Sequence, residues 1–143
     1  MELTAALEFL HQQQLIHRDI KPANIIFVKG VPKFADIGLV TDIAGTGGVS
    51  YLGTKGYIAP EGPGTPAADL YSLGKVLYEM STGLGCGLFP ELPSTLFQRS
   101  DHIEMLSLNA VILQACRQDP SQRYQSAAEM GEALRRCGAQ RNV

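Results

Sequence analysis

A short polar stretch near the start of the chain, residues 17–25, carries the residue types that could do chemistry. Asp19 and Asn24 lie five positions apart, with Lys21 between them. This order places a potential base, a cation and a neutral oxygen ligand within reach of one another. Phosphoryl transfer from a nucleotide needs an acceptor for a hydroxyl proton, a positive charge beside the phosphate and a ligand for Mg²⁺. A His-x-Asp pair in a polar loop is more commonly a simple turn, so the neighbouring segments must decide.

Composition narrows the classes of protein that this chain could represent. Its 143 residues are enough for one domain with its own apolar core. The formal net charge of −2 provides no positive surface for nucleic acid or for an anionic membrane. Cys86, Cys116 and Cys137 are widely spaced, so we expect reduced thiols and a cytoplasmic location. We expect no signal peptide and no membrane segment, because no apolar run is long enough.

Two predicted elements flank the polar stretch and would hold it in place. Leucines spaced three and four apart predict an amphipathic helix over about residues 3–13, which leads directly into the stretch. Beyond the stretch, short β-branched and aromatic runs at 25–28 and 31–34 predict a small hairpin around a Gly-containing turn. The second run leads to Asp36, a carboxylate that could bind a metal together with Asn24.

The second half of the chain is predicted to be helical. A helix starts near Ala67 and stops at Thr82-Gly83. Its apolar face consists of Leu70, Leu73, Val76, Leu77 and Met80. A second helix covers 103–116, and its predicted apolar face is Ile103, Leu106, Ala110 and Leu113. The pair Ser126 and Glu129 forms a capping box for a last helix. That helix would bury Met130 and Leu134 and end at Gly138.

Four strings in this order resemble the C-terminal lobe of a eukaryotic-type (Hanks-type) Ser/Thr protein kinase. They are H-R-D-I-K-P-A-N at 17–24, D-I-G at 36–38, G-T-K-G-Y-I-A-P-E at 53–61 and D-L-Y-S-L-G at 69–74. The resemblance extends over roughly residues 3–137. Ile37 departs from the Phe that is usual in the family, and we expect it to pack against the catalytic-loop His.

The resemblance implies a mainly α lobe with a small β-hairpin, which is one part of an α+β two-lobe fold. We expect the whole chain, 1–143, to be this lobe alone, with the N-terminal lobe outside it. Its expected parts are a catalytic loop at 17–25, a metal-binding D-I-G at 36–38, an activation segment at 36–61 and a helical subdomain at 67–138. Glycines and hydroxyl residues without periodicity make the activation segment an irregular loop.

The resemblance also implies a role for individual residues. The residues implied in catalysis are Asp19 as the base, Lys21 as the γ-phosphate cation and Thr54 as their support. The residues implied in binding ATP are Lys21, Asn24, Ile26 and Asp36, of which Asn24 and Asp36 would hold Mg²⁺. Structural or regulatory roles fall on His17, Arg18, Glu61, Asp69 and Arg123. In the family, the residue at Asp69 accepts backbone N–H groups from the catalytic loop, and the one at Arg123 pairs with that at Glu61. A simple helix N-cap is the plain alternative for Asp69.

These expectations lead to a function and to one alternative. The function is transfer of the ATP γ-phosphate to Ser or Thr hydroxyls of a protein substrate, once an N-terminal lobe is present. The resemblance further implies activation by phosphorylation, with Arg18 binding the phosphate on one of Thr41, Thr46, Ser50 and Tyr51. The alternative is a non-catalytic docking module. We expect the lobe alone to be inactive and to self-associate through its uncovered apolar surface.

Overall fold

The computed structural model describes residues 1–36, 41–42 and 53–139, and these residues form a mainly helical fold with small antiparallel strand pairs, as predicted. The helices are α1 (Glu2–Gln12), α2 (Pro66–Thr82), α3 (His102–Ala115) and α4 (Ala127–Ala139). The strands are β1 (Leu15–Ile16), β2 (Ile25–Val28), β3 (Val31–Phe34) and β4 (Thr41–Asp42). In the part that the structure describes, no helix is long and apolar enough to cross a membrane.

Strands β2 and β3 form the predicted hairpin. Their antiparallel register pairs Ile25 with Phe34 and Val28 with Val31. Lys29 and Gly30 make the turn with φ angles of 51° and 79°, a left-handed conformation that glycine adopts without a steric penalty. The second strand pair, β1 with β4, was not predicted from the sequence. Strands of two residues are too short to show an alternating pattern.

Helix α2 runs through the centre of the lobe and is delimited by the residues at its two ends. Its N-cap is Thr65, whose side chain accepts a hydrogen bond from Ala68 N at 3.1 Å. Gly83 ends the helix in the left-handed conformation, with φ of 71°. The predicted apolar face is buried at Leu70, Leu73 and Val76, partly buried at Leu77 and exposed at Met80.

Glycines bring the helices close together at two points. A Cβ atom on Gly74 of α2 would lie 2.7 Å from Cys116 Sγ, just beyond the end of α3. A Cβ atom on Gly131 of α4 would lie 2.7 Å from the hydroxyl oxygen of Thr4 in α1. Any larger side chain at either position would have to push its neighbour aside.

The predicted face of α3 is wrong. Ile103 and Leu113 are 56% and 38% exposed, and Ala110 is exposed as well. The residues that α3 buries instead are Val111, Ile112 and Ala115. Apolar residues stand on most sides of this helix, so their spacing does not select one face. The contacts with α2 and α4 make the choice.

Helix α4 begins with the predicted capping box. The backbone N–H of Glu129 donates to Ser126 Oγ at 3.1 Å. The Glu129 carboxylate accepts from Gln125 N at 2.7 Å, one residue earlier than in the standard motif. Met130 is fully buried and Leu134 is partly buried, as predicted. The predicted end is wrong, since Gly138 lies within the helix.

Candidate active site

The polar stretch leaves β1 and is anchored by two buried side chains. Ile16, just before the stretch, and Ile20, within it, are each 1% exposed. Between them Arg18 adopts a φ angle of 71°, which is uncommon for a residue with a side chain. A single turn of 3₁₀ helix, Pro22–Asn24, follows and leads into β2. The backbone beside Asp19 is therefore held in a defined and strained conformation.

Asp19 is surrounded by three of the predicted site residues. Thr54 Oγ1 donates to Asp19 Oδ1 at 3.0 Å, and Asn24 Nδ2 donates to Oδ2 at 3.0 Å. Lys21 Nζ lies 3.2 Å from Asp19 Oδ2 and donates to Thr54 Oγ1 at 2.8 Å. Asn24 Nδ2 also donates to the backbone oxygen of Asp19 at 2.8 Å. We call these four residues, Asp19, Lys21, Asn24 and Thr54, the reactive cluster.

The charge state of Asp19 follows from these contacts. Burial raises the pKa of the Asp19 carboxyl, but hydrogen bonds with Lys21 and Thr54 outweigh it, so the net pKa lies below its ordinary value. The carboxylate is therefore ionised at neutral pH. Its side chain is 14% exposed, and that of Lys21 is 27% exposed. An ionised oxygen acceptor and a cation thus lie side by side at a partly open surface.

Asp69 of α2 binds the backbone of the polar stretch from the buried side. Its Oδ2 accepts the N–H of His17 at 2.8 Å, and its Oδ1 accepts the N–H of Arg18 at 2.9 Å. His11 Nε2 lies 2.9 Å from Oδ2. The Asp69 side chain is only 3% exposed. The family contact is present, and the plain alternative is wrong, because Thr65 rather than Asp69 is the N-cap.

His17 packs within the lobe. Its ring lies 4.6 Å from the ring of Phe34, centroid to centroid, and its Nδ1 accepts from Asp19 N at 3.4 Å. Burial lowers the pKa of the His17 imidazole, although the nearby carboxylates of Asp69 and Asp19 oppose this effect. A neutral ring is thus favoured at neutral pH. Ile37, which was expected to pack here, lies outside the described residues.

A second ion pair lies at the end of the expected activation segment. Arg123 Nη1 and Nη2 donate to the two carboxylate oxygens of Glu61 at 2.6 and 2.8 Å. The guanidinium also donates to the backbone oxygens of three residues, Ala67, Arg117 and Gln118. The Arg123 side chain is 0% exposed and that of Glu61 is 26% exposed. Burial raises the pKa of the Glu61 carboxyl, but the bond with Arg123 outweighs it, so the net pKa is lowered.

The remaining predicted residues divide into two groups. Asp36 is exposed just beyond β3, and Ala35 N donates to Asn24 O at 2.9 Å, which ties this end of the hairpin to the cluster. Ile26 in β2 is 46% exposed. Arg18 Nε donates to Pro63 O at 3.3 Å. Outside the described residues lie Ile37, Gly38, Thr46, Ser50 and Tyr51, and Thr41 is described only as part of β4.

The oxygen donors present fit a magnesium ion that is carried by a nucleotide. Asn24 donates its amide nitrogen to Asp19, so Oδ1 is the atom through which it would bind a cation. The Asp36 carboxylate is the second hard oxygen donor. Mg²⁺ is usually bound by one or two carboxylates together with phosphate oxygens. The described residues contain no cluster of three or more His, Cys, Asp or Glu that could hold a metal ion.

Sequence reasoning missed His11. Its side chain is 9% exposed, and it contacts Asp69 from the last turn of α1. A signal was present in the sequence, because Leu3, Leu7 and His11 are each four residues apart. Leu3 and Leu7 are buried, so the third position on the same stripe belongs to the buried face as well. A polar residue there indicates a buried partner.

The fold and the site together define a class of protein. A hairpin and a central buried helix position an Asp, a Lys and an Asn on one loop, and that helix accepts the loop's backbone amides. These are features of a protein kinase lobe. The protein kinase domain family matches residues 1–137. The chain therefore belongs to the protein kinase family, whose members generally use ATP and Mg²⁺.

Individual relatives agree with this assignment. The chain is 41% identical over 145 residues to the serine/threonine-protein kinase PknB of Mycobacterium tuberculosis and 40% identical over 144 residues to PknB of Mycobacterium leprae. It is 38% identical over 151 residues to serine/threonine-protein kinase C of Synechocystis. These alignments cover 87%, 87% and 90% of this chain. They cover only 23%, 23% and 27% of the relatives, so the chain spans about a quarter of their length.

Proposed function

We propose that this chain is the C-terminal lobe of a Ser/Thr protein kinase domain that transfers the γ-phosphate of ATP to hydroxyl groups of a protein substrate. The observation that carries the proposal is the reactive cluster, in which Thr54 bridges Lys21 and Asp19 at 2.8 and 3.0 Å. A carboxylate, a cation and an amide oxygen ligand are the groups that positioning and charge stabilisation require in phosphoryl transfer. The names of the relatives favour Ser/Thr substrates.

In this mechanism Asp19 orients the substrate hydroxyl and takes its proton as the oxygen binds the transferred phosphoryl group. Its pKa lies below the ordinary value, so it is a weak base and a good hydrogen-bond acceptor at neutral pH. That property suits a loose transition state, in which the attacking oxygen needs alignment more than early deprotonation. Thr54 and Asn24 hold the two carboxylate oxygens and so fix the direction from which the hydroxyl approaches.

Lys21 supplies positive charge beside the transferred group. Its ammonium lies 3.2 Å from Asp19 Oδ2, so a phosphate next to the aligned hydroxyl is within its reach. The bond with Thr54 restrains an otherwise flexible side chain. Asn24 and Asp36 would hold Mg²⁺, which neutralises charge on the phosphates when bound. Ile26, exposed on β2, would contact the adenine from below.

The proposed activity needs a second lobe. The described residues supply only one side of the expected nucleotide site, where Ile26 is 46% exposed. Most of the rate in phosphoryl transfer comes from positioning, which half a site supplies poorly. We therefore propose that this chain alone neither binds Mg-ATP tightly nor transfers phosphate. Micromolar binding in a calorimetric titration of the 143-residue chain would contradict this.

The test of the proposed function is a chimera in which the N-terminal lobe of a protein kinase is joined to this chain. We expect ATP-dependent phosphorylation of Ser or Thr in a generic protein substrate. Asp19→Asn should lower kcat by roughly 10²–10⁴-fold. Asp101→Asn is the matched control, because Asp101 is also paired with a cation, Arg99, but on the exposed surface. Equal turnover in the Asp19 and Asp101 variants would refute the role of Asp19, and a chimera without any activity would favour the docking-module alternative.

Phosphorylation of the activation segment is a further part of the proposal. Arg18 lies beside Asp19, and its guanidinium donates to Pro63 O, two residues beyond the end of the expected segment. An arginine in that place could bind a phosphate on Thr46 or Ser50, with Thr41 and Tyr51 as the less favoured acceptors. Mass spectrometry of the active chimera should find phosphate between residues 39 and 54. An active protein without phosphate there would refute this part.

Self-association of the lobe is also proposed. Ile26, Val28 and Val31 lie on one face of the hairpin and are 46%, 41% and 38% exposed. Such an apolar face favours association unless another lobe covers it. Light scattering should show oligomers of the isolated chain that Val28→Lys reduces, and a monomer at all concentrations would contradict this.

The free cysteines in the structure support a cytoplasmic location for the domain.

A further inference from the structure

The apolar residues that were predicted for the buried side of α3 lie on its open side. Ile103, Leu106, Ala110 and Leu113 are spaced three, four and three residues apart, which places them within an arc of about 80° around the helix. Ile103 and Leu113 are 56% and 38% exposed, Ala110 is exposed and Leu106 is partly buried. We call these four residues the α3 seam.

The spacing of the α3 seam is that of a helix which packs against another helix. Apolar residues three and four apart in alternation form the a and d positions of a coiled coil. Helix α3 carries one acidic side chain, Glu104, which lies about 140° around the helix from the middle of the seam. A helix that is apolar on all sides is normally buried on all sides. The open seam therefore fits a second apolar helix.

The seam has a hole at one end and a knob at the other. A groove of about 420 Å³ has as its lining residues Ala110, Leu113, Gln114, Arg117 and Gln122. The first four stand at i, i+3, i+4 and i+7, the set of positions that forms the hole for a knob in helix packing. The knob is Ile103, which lies about 15 Å from Leu113 along the helix axis. Knob and hole therefore cannot meet within one chain.

We propose that the α3 seam is the interface of a two-fold symmetric dimer of this chain, in which the two α3 helices pack antiparallel. Ile103 of each copy enters the hole beside Leu113 of the other, and Leu106 of each copy packs over the small Ala110 of the other. Both pairs are centred on position 108 of the sequence, so one two-fold axis generates all four contacts. A large residue faces a small one in the central layers, as interdigitating helices require.

A second copy suits the seam better than a partner of other chemistry. The seam carries no charge, so two copies meet without repulsion, whereas an acidic or basic segment would find no opposite charge there. Antiparallel packing sets the two helix dipoles against each other favourably. Arg117, exposed at the end of the seam, then approaches Asp101 of the second copy, whose side chain is 36% exposed.

The proposed dimer is weak and separate from the reactive cluster. One pair of helices buries less than the roughly 1,200 Å² of a standard interface, so we expect dissociation in the micromolar range. No residue of the α3 seam belongs to the reactive cluster or to the hairpin. The inference therefore does not depend on the proposed function, and it concerns a surface other than the apolar face of the hairpin.

The first experiment is sedimentation equilibrium of the 143-residue chain, with Val28→Lys in every sample to remove association through the hairpin. We expect a monomer–dimer equilibrium. Ile103→Lys should raise the dimer Kd at least about tenfold, because the two-fold axis makes each substitution count twice. Met80→Lys is the matched control, since Met80 is 54% exposed but lies on α2, and it should leave the Kd unchanged.

Circular dichroism establishes that each variant folds, and Ile103→Ser replaces Ile103→Lys if the latter does not. A monomer at every concentration would overturn the proposal and leave the seam to a different partner. A dimer that the Ile103 variants do not weaken, or that Met80→Lys weakens equally, would overturn it as well.

The second experiment tests the antiparallel arrangement by exchanging charges. Leu113→Glu alone should weaken the dimer as Ile103→Lys does. The double variant should associate at least about tenfold more tightly than either single variant, because each new ammonium meets a new carboxylate of the other copy. Ten residues separate the two positions, so they cannot pair within one helix. A double variant that associates no better than Ile103→Lys alone would overturn the antiparallel dimer.

Discussion

Two regions of the lobe differ in how their charged side chains are bound and how far they are exposed. In the reactive cluster, Asp19 is 14% exposed and bound by the side chains of Lys21, Thr54 and Asn24. The second region is what we call the buried ties. One tie is formed by Asp69 and the amides of His17 and Arg18, and the other by Arg123 and Glu61. Asp69 is 3% exposed, and Arg123 is 0% exposed.

The comparison shows how a lobe can be rigid below and reactive above. Backbone amides neither titrate nor rotate, so the bonds of Asp69 fix the course of the chain. The side chains of Lys21, Thr54 and Asn24 can turn from Asp19 to a substrate while the backbone stays folded. We therefore expect substitutions in the buried ties to cost stability and those in the reactive cluster to cost activity.

The largest loss of stability is expected for Asp69→Ala. It strands the buried amides of His17 and Arg18 and the Nε2 donor of His11. Each buried group without a partner costs about 1–3 kcal/mol, so the loss of a partner by three groups should lower the free energy of unfolding by at least about 3 kcal/mol. Urea unfolding followed by circular dichroism measures it. A loss below about 1 kcal/mol would break the comparison.

A somewhat smaller loss is expected for Arg123→Ala. Glu61 keeps 26% exposure and can be rehydrated, whereas three backbone oxygens lose their donor. We expect the free energy of unfolding to fall by roughly 2–4 kcal/mol. Arg99→Ala is the control, because Arg99 forms an exposed pair with Asp101, and it should leave the unfolding midpoint unchanged. Equal midpoints for the two variants would refute the tie.

Acid should weaken the lobe in part through Glu61. Its pKa in the folded state is lowered, so protons bind more tightly to the unfolded chain. The stabilisation is fully present above the ordinary Glu pKa of about 4.3 and is lost as pH falls through the lowered value. Unfolding measured from pH 7 to pH 3 should show this loss. Glu61→Gln should make it smaller, and an identical profile would contradict the assignment.

The smallest change in stability is expected for Asp19→Asn, although its effect on turnover is the greatest. Asp19 and Lys21 are partly exposed, so their attraction is screened by water. The free energy of unfolding should change by less than about 1 kcal/mol in either direction. A loss as great as that of Asp69→Ala would show that the reactive cluster is itself a structural tie.

The sequence predicted the parts of the lobe in which a local pattern and a motif agree. The hairpin at 25–34 has both a turn and β-branched runs, and α2 has an apolar face and a glycine stop. The contacts of Asp69 and of Glu61 with Arg123 were expected from the family alone. No local signal could pair residues that lie 52 and 62 positions apart.

The remainder failed for physical reasons. Helix α3 is apolar on most sides, so its packing against α2 and α4 determines that Ile112 is buried and Ile103 is exposed. The pairing of β1 with β4 is a non-local contact between two-residue strands. Gly138 was expected to stop α4, yet a glycine within a helix costs only about 1 kcal/mol. The contact of His11 with Asp69 was missed because a polar residue on a leucine stripe indicates a buried partner but does not say which residue it is.

The bond between Glu61 and Arg123 also bears on the order of events in folding. It joins residues 62 positions apart, so closing it requires that most of the intervening chain is already in place. Contacts of this kind form after local helices and hairpins have appeared. A contact that is absent from the folding transition state affects mainly the rate of unfolding. We therefore expect the bond between Glu61 and Arg123 to form late in folding and to act chiefly by slowing the unfolding of the lobe.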